Sequence, residues 1–420
     1  MSQDGEELLE FGRPPRPRWI RIGVAGAVVF ALAAAVVLRT WPHSSDRMLV
    51  PQPTSTYLPR PSRGGSPLYP RPWPTAPAAC GGDTDLAIVS STEVRQATGL
   101  RLLIGGSTAR TVDFDTGNST ALAGVELRLG EYVTPAGPNV WITRICSSSG
   151  PDSLSRLVRF GADGRATVAT LPPSSTDVLV DGSNVWSVSS PNDPSASSVL
   201  TPLGGGAPVQ LPAGFAPAAI MDGVLVGNLV GSPTGSDGRD DPLVLVNAAT
   251  GQIRQPLGPG TFFAAGAGLV LWTVGCRVDS GQPCTLDASH VGIGTIRSYQ
   301  LPRPPGFVAG VVSPDGQRVA FLMERADQDP RYDQGHPIPP GDVVIMPLDA
   351  GALAVVPDVE VPAKAPPGLA FSADGAWLVM AVNAGSTTRL LAWQPGLSQP
   401  YESAPVAGSV VGAPAVVALP

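Results

Sequence analysis

From residue 99 onward, short apolar runs alternate with polar breaks centred on glycine. The clearest pair is Val311-Val312-Ser313-Pro314-Asp315-Gly316-Gln317-Arg318-Val319-Ala320-Phe321 and Ala370-Phe371-Ser372-Ala373-Asp374-Gly375-Ala376-Trp377-Leu378-Val379-Met380. Each predicts a strand, a Ser-x-Asp-Gly turn and a second strand, because Asp closes the turn with its own side chain and Gly takes the positive φ that other residues resist. Weaker copies precede them: Gly137 before Val140-Trp141-Ile142, Gly182 before Val185-Trp186-Ser187, Gly223 before Val224-Leu225-Val226, and Gly268 before Leu269-Val270-Leu271-Trp272. With Gly99 before Leu100-Arg101-Leu102-Leu103-Ile104, the turn glycines fall at 99, 137, 182, 223, 268, 316 and 375, spaced by 38, 45, 41, 45, 48 and 59. A second series, Gly117, Gly164, Gly205, Gly251, Gly294, Gly351 and Gly396, interleaves with the first.

Two hairpins per unit mean four strands per unit. Seven units over residues 80–420, about 49 residues each, predict an all-β, seven-bladed β-propeller of four-stranded blades. Stacked all-β domains and a solenoid are the alternatives, but a solenoid needs capped ends. Here the chain ends in Ala413-Pro414-Ala415-Val416-Val417-Ala418-Leu419, an apolar strand without a local partner, and opens on an equally unpaired Leu86-Ala87-Ile88-Val89. The expectation is that these two ends zip together and close the ring, removing its edges. Trp141, Trp186 and Trp272 recur on second strands and read as core between blades.

The N-terminal pattern is different. Ile22 to Leu38 is an uncharged stretch bounded by Arg21 and Arg39, with Trp19 and Trp41 beyond. At 1.5 Å per residue it reaches roughly 26 Å, the short end of a bilayer span. Four arginines (13, 16, 18, 21) precede it and two (39, 47) follow, which predicts a cytoplasmic N terminus. A cleaved signal peptide ending near Ala31-Leu32-Ala33 is the rival, though the apolar stretch is long for one. Residues 51–79 carry nine prolines, which favours an extended spacer. The predicted organisation is therefore a short cytoplasmic tail (1–21), a transmembrane helix (22–38), a Pro-rich extracytoplasmic linker (39–79) and the propeller (80–420). The expected location is the cell membrane, single-pass, with the propeller outside.

Charge sharpens the choice of partner. Of 27 basic and 34 acidic residues, nine arginines and five acids lie in 1–79, which leaves 18 basic and 29 acidic groups in 80–420, a net −11. Such a domain repels phosphate backbones, so no nucleic acid is expected. The four cysteines, Cys80, Cys146, Cys276 and Cys284, all lie in the exported part, and an even count there predicts disulfides. Cys276 and Cys284 flank a short loop and pair with each other; Cys80 and Cys146 pair by elimination. A Cys-based metal site wants closer spacing and more histidines. Asp237, Asp240 and Asp241 miss the spacing of a calcium loop.

Catalytic signals are sparse. There are three histidines (43, 290, 336), no His-Glu-x-x-His, no Gly-x-Ser-x-Gly and no phosphate loop. The sequence nominates no catalytic residue, cofactor site or metal ligand set. This argues against an enzyme without closing that reading, since propeller enzymes gather residues around the channel from several blades. The long insertions 189–198, 231–242, 276–290 and 324–341 are expected on one face, where binding resides on a rigid scaffold. The richest holds Arg325, Asp327, Asp329, Arg331, Tyr332, Asp333 and His336, a recognition loop or merely a solvated one.

The two strongest repeats, with Asp342-Val343-Val344-Ile345-Met346-Pro347-Leu348-Asp349-Ala350-Gly351 after the first, resemble TolB-type and WD-repeat-like bacterial propellers. That resemblance implies an envelope protein-binding platform; the anchor and proline tether depart from the soluble TolB pattern. The combined expectation is a membrane-anchored, extracytoplasmic propeller that binds or scaffolds an envelope protein or peptide. The alternative is an envelope hydrolase or lyase acting on a carbohydrate, lactone or peptide in the channel. Converging acid and base groups on the channel wall would favour the enzyme, and small or apolar residues would favour binding.

Overall fold

Seven antiparallel four-stranded sheets follow one another around a ring in the computed structural model. It describes residues 88–419 except 90, 95, 106–109, 123–130, 138–139, 146–152, 161–165, 173, 190–195, 230–240, 277–283, 293, 295, 303–304, 306–309, 325–340, 362–367, 385–386 and 408–415. The expected transmembrane segment 22–38 and linker 39–79 lie outside the described residues. Among those described, no helix is long and apolar enough to cross a membrane.

Blades 2 to 7 each open on an inner strand: Glu131–Gly137, Asp177–Asp181, Phe215–Met221, Thr261–Gly266, Val311–Val312 and Gly368–Phe371. The inner strands of successive blades touch one another, so they surround the axis. Glycines of the first expected series fall between the first and second strands of blades 3 to 7, Gly137 ends the first strand of blade 2, and those of the second series fall between the third and fourth strands of all seven. Seven apolar clusters occupy the seven seams between neighbouring blades. The cluster of Leu103, Val133, Trp141 and Val158 joins blade 1 to blade 2. There a Cβ on Gly105 would come within 2.3 Å of the Val133 carbonyl oxygen, so the seam is tight as well as closed.

The ends do not zip together as the sequence suggested. Val416–Leu419 alone takes the inner slot of blade 1, antiparallel to Arg101–Ile104. Ile88–Val89 instead adds to the outer strand of blade 6, opposite Val359 and Glu360, and Thr92–Glu93 lies parallel to Tyr401–Glu402 of blade 7. The physical reason is the pattern of each segment. Val416 and Ala418 pack into the seam between blades 7 and 1, and Leu419 packs against that between blades 1 and 2, so this strand is apolar on both faces. Ser91-Thr92-Glu93 is polar and suits an outer edge with one side open to water. Gly99 consequently joins no hairpin; the amides of Thr98 and Gly99 are held by the Asp115 carboxylate at 2.9 Å.

The strap along blades 6 and 7 is clamped. Glu402 accepts two hydrogen bonds from the Arg389 guanidinium, each at 2.5 Å, and another from the Ser91 hydroxyl. The strap also covers sheet edges that would otherwise offer unpaired backbone groups.

The Ser-x-Asp-Gly turns are built by their side chains. The Ser313 hydroxyl donates to Asp315 Oδ1 at 2.5 Å and accepts from the Arg318 amide at 2.9 Å; Ser372 does the same with Asp374 and the Trp377 amide. Asp315 Oδ1 also accepts from the Gln317 amide, and Asp374 Oδ1 from the Ala376 amide. Hydrogen bonds from the serine hydroxyl and then the backbone hold both carboxyls below their ordinary value. Arg318 ties the two turns together, donating to the Gly375 carbonyl and lying 5.7 Å from the Phe371 ring centroid.

Candidate functional site: the loop-rich face

Connections from second to third strands, and from one blade to the next, emerge on one face, because every strand reverses direction. The connections that leave the second strands of blades 3 to 6 span 190–196, 230–241, 275–283 and 325–340. On the opposite face, Asp181 and Asn184 or Met221 and Val224 are joined by two-residue turns. The expected sidedness of the long insertions holds at their anchor points, but 284–290 of the expected insertion 276–290 is the third strand of blade 5, not loop. Arg325, Asp327, Asp329, Arg331, Tyr332, Asp333 and His336 lie outside the described residues, as do Cys80 and Cys146. Cys276 and Cys284 are disulfide-bonded and staple the base of the blade 5 connection.

The inner strands are mostly small and apolar in sequence, with Glu131–Gly137 (EYVTPAG) and Asp177–Asp181 (DVLVD) the more polar pair. Phe215–Met221 reads FAPAAIM, Thr261–Gly266 reads TFFAAG, Gly368–Phe371 reads GLAF and Val416–Leu419 reads VVAL. Glu131, Asp177 and Asp181 are the charged residues on the inner strands, each at a strand terminus. Among the described residues, no group of three or more His, Cys, Asp or Glu stands together. His290 is exposed and ends a third strand, on the tight-turn face. Trp141 and Trp272 are fully buried, facing the preceding blade; Trp186 is half-buried and faces the next one. The three tryptophans are core, as expected, but do not share one position.

One polar assembly at the loop-rich end was not foreseen. Asn228, near the end of the second strand of blade 4, donates from Nδ2 to the carbonyl oxygens of Asp241 (3.1 Å) and Gly260 (2.6 Å). Its Oδ1 accepts from the Phe262 amide at 3.3 Å. The Gly260 amide donates to the Asp241 carbonyl at 3.3 Å. A single side chain thus binds the third strand of blade 4 to the start of blade 5. A Cβ on Gly260 would meet the Thr273 carbonyl oxygen at 2.5 Å and Trp272 Cδ1 at 2.7 Å, so the junction admits only glycine. Asp241 is 3% exposed, and its Oδ1 is buried without a hydrogen-bond partner. It directly precedes the third strand, Pro242–Asn247, whose Leu243 and Leu245 face blade 5. Only a polar residue closing the apolar run Val224-Leu225-Val226-Gly227 hinted at Asn228; its partner Gly260 lies 32 residues on.

A second acid, Asp287, sits in the third strand of blade 5. Its Oδ1 is also buried and unpartnered, and burial pushes the carboxyl up against a smaller opposing hydrogen bond from Ser298.

No protein-family model and no curated protein matches this sequence. Among solved structures, the chain is similar to the periplasmic gluconolactonase PpgL of Pseudomonas aeruginosa (15% identity, TM-score 0.47, 76% of this chain and 99% of that one). It is also similar to TolB of Acinetobacter baumannii (12%, 0.40, 76% and 67%) and to an oligogalacturonate lyase in complex with manganese (12%, 0.41, 77% and 90%). At such identities and scores none of their activities passes to this chain. The seven-bladed ring rests on its own strand pairing.

Proposed function

We propose that this chain is an extracytoplasmic binding or scaffolding propeller, held to the cell membrane by a single N-terminal span and a proline-rich stalk. Its loop-rich face receives a protein or peptide of the cell envelope. The observation that carries this reading is the sidedness of the ring: its longest connections leave one face, while the opposite face turns tightly. The scarcity of charged residues on the inner strands supports it, since acid–base chemistry needs titratable groups within hydrogen-bond reach of a substrate. Binding energy placed on loops over a rigid ring costs the scaffold little, because the blade seams stay packed whatever the loops contact.

The test is crosslinking and affinity capture from intact cells, comparing the full chain with one in which 325–340 is replaced by an Asn-Gly turn. One specific envelope partner lost in the variant, at equal membrane abundance, is the expected result. An identical partner set from both proteins defeats the reading.

A further inference from the structure

Asp241 breaks the rule that buried polar atoms find partners. Its main chain is fixed twice over, by Asn228 and by Gly260, so the orphaned oxygen cannot relax by moving the strand. A carboxylate left without a donor in a low-dielectric setting costs on the order of 1–3 kcal/mol, more when charged. Asp342 makes the contrast. It is equally buried at the start of the third strand of blade 6, yet it is engaged within the fold.

We propose that the blade 4–blade 5 junction is a receptor for a basic side chain, with Asp241 as its acid and the Asn228–Gly260 bridge as its frame. This rests on reading the loop-rich face as the binding face and names the chemistry of its ligand. Three observations converge. The orphaned acid lies on that face, immediately before the third strand of blade 4 and beside the blade junction at Gly260. An ammonium or guanidinium group on a long stem can reach an acid only 3% exposed while the rest of the partner stays outside. A charge-assisted bond is about twice as strong as a neutral one, which suits a cation over a neutral donor. The surrounding domain is also acidic, with 29 acidic against 18 basic groups in 80–420, so it draws basic partners. A cation held by several ligands fits less well, because the carbonyl oxygens of Asp241 and Gly260 already accept from Asn228.

The experiment uses the full chain in detergent and follows thermal unfolding by tryptophan fluorescence. The probe is N-acetyl-arginine amide, and the control is N-acetyl-citrulline amide, its neutral counterpart. A saturable rise in Tm with the arginine probe alone is expected. Asp241→Asn should weaken the probe by on the order of 30-fold or more, whereas Asp342→Asn should leave its affinity unchanged. Without probe, Asp241→Asn should melt close to the wild-type Tm, since no hydrogen bond to Oδ1 is lost. An equal response to citrulline, a response retained in Asp241→Asn, a rise with calcium chloride in place of arginine, or no response at all overturns the assignment. If Asp241→Asn does not fold, Asp241→Ala is read instead; if neither folds, the carboxylate is satisfied inside the fold and the assignment falls. A partner lost on replacing 325–340 with no arginine response sinks this inference alone. An arginine response with an unchanged partner set sinks the role given to that loop.

Discussion

Blades 6 and 7 differ from blades 1 and 2 in how completely their middle strands are enclosed. In blade 6, Val319 to Met323 are all fully buried, and in blade 7 so are Leu378 to Ala381. Both blades carry strap residues over their outer edge, side-chain-closed turns and the Arg318 link. In blades 1 and 2 the outer strands are open: Ser119–Ala121 is exposed throughout, and Val168 is 42% exposed. Among the described residues, the seam between blades 1 and 2 gathers only Leu103, Val133, Trp141 and Val158 as its buried core. A propeller blade is therefore not a fixed module. A strap is one route to enclosure and not the sole one, since Leu225, Val226, Val270 and Leu271 of the four-stranded blades 4 and 5 are also fully buried, and the terminal segment places its polar residues on one side of the ring.

Truncation should expose that asymmetry most strongly. Phe321 is fully buried and meets Phe263 edge-on at 5.3 Å between ring centroids. Phe321→Ala should cost about 3–5 kcal/mol, whereas Val168→Ala on the open blade 2 edge should stay within about 0.5 kcal/mol. Urea unfolding of both variants measures the gap; equal losses would mean that the two regions are equally packed.

Turn chemistry separates the regions by a smaller margin. Ser313→Ala removes the donor to Asp315 and the acceptor of the Arg318 amide at once, so about 1–2 kcal/mol is expected. Ser183, in the blade 3 turn, holds no comparable position, so Ser183→Ala should be near neutral. The same unfolding assay decides it, and a loss at Ser183 matching that at Ser313 would show that the motif carries no special weight.

This ranking explains what the sequence disclosed. Ser313, Asp315 and Gly316 act on one another within a few residues, so their geometry is written locally, and so is the recurrence of turn glycines that counted the blades. Ring closure is not local. Whether Leu86–Val89 or Val416–Leu419 fills the inner slot is a competition across the whole chain, and two equally apolar four-residue segments leave it open in the sequence. The Asn228 bridge joins positions 32 apart through two carbonyls, which any residue could supply. Trp186 looked equivalent to Trp141 and Trp272 because alternation along a strand is visible in sequence, while the side facing a given neighbour is set by register.

The smallest effect is a matter of sign, and it contrasts the strap with the blade 5 interior. Burial pushes the Glu402 carboxyl up, but the Arg389 and Ser91 hydrogen bonds and the guanidinium charge together hold it below its ordinary 4.5. The folded chain then binds fewer protons at this group than the unfolded one. Its stabilisation is complete above 4.5 and is lost as pH falls through the lower folded value. Asp287 runs the other way, because burial raises it above 3.8. The fold then holds an extra proton, and that contribution is complete below 3.8 and fades as pH rises through the higher folded value. Unfolding free energies between about pH 3 and pH 7 should show Glu402→Gln flattening the acid limb. Asp287→Asn should remove a weaker decline in the opposite direction. If both substitutions flatten the same limb, the strap clamp and the buried acid are not electrostatically distinct, and the enclosure that sets blades 6 and 7 apart reduces to packing.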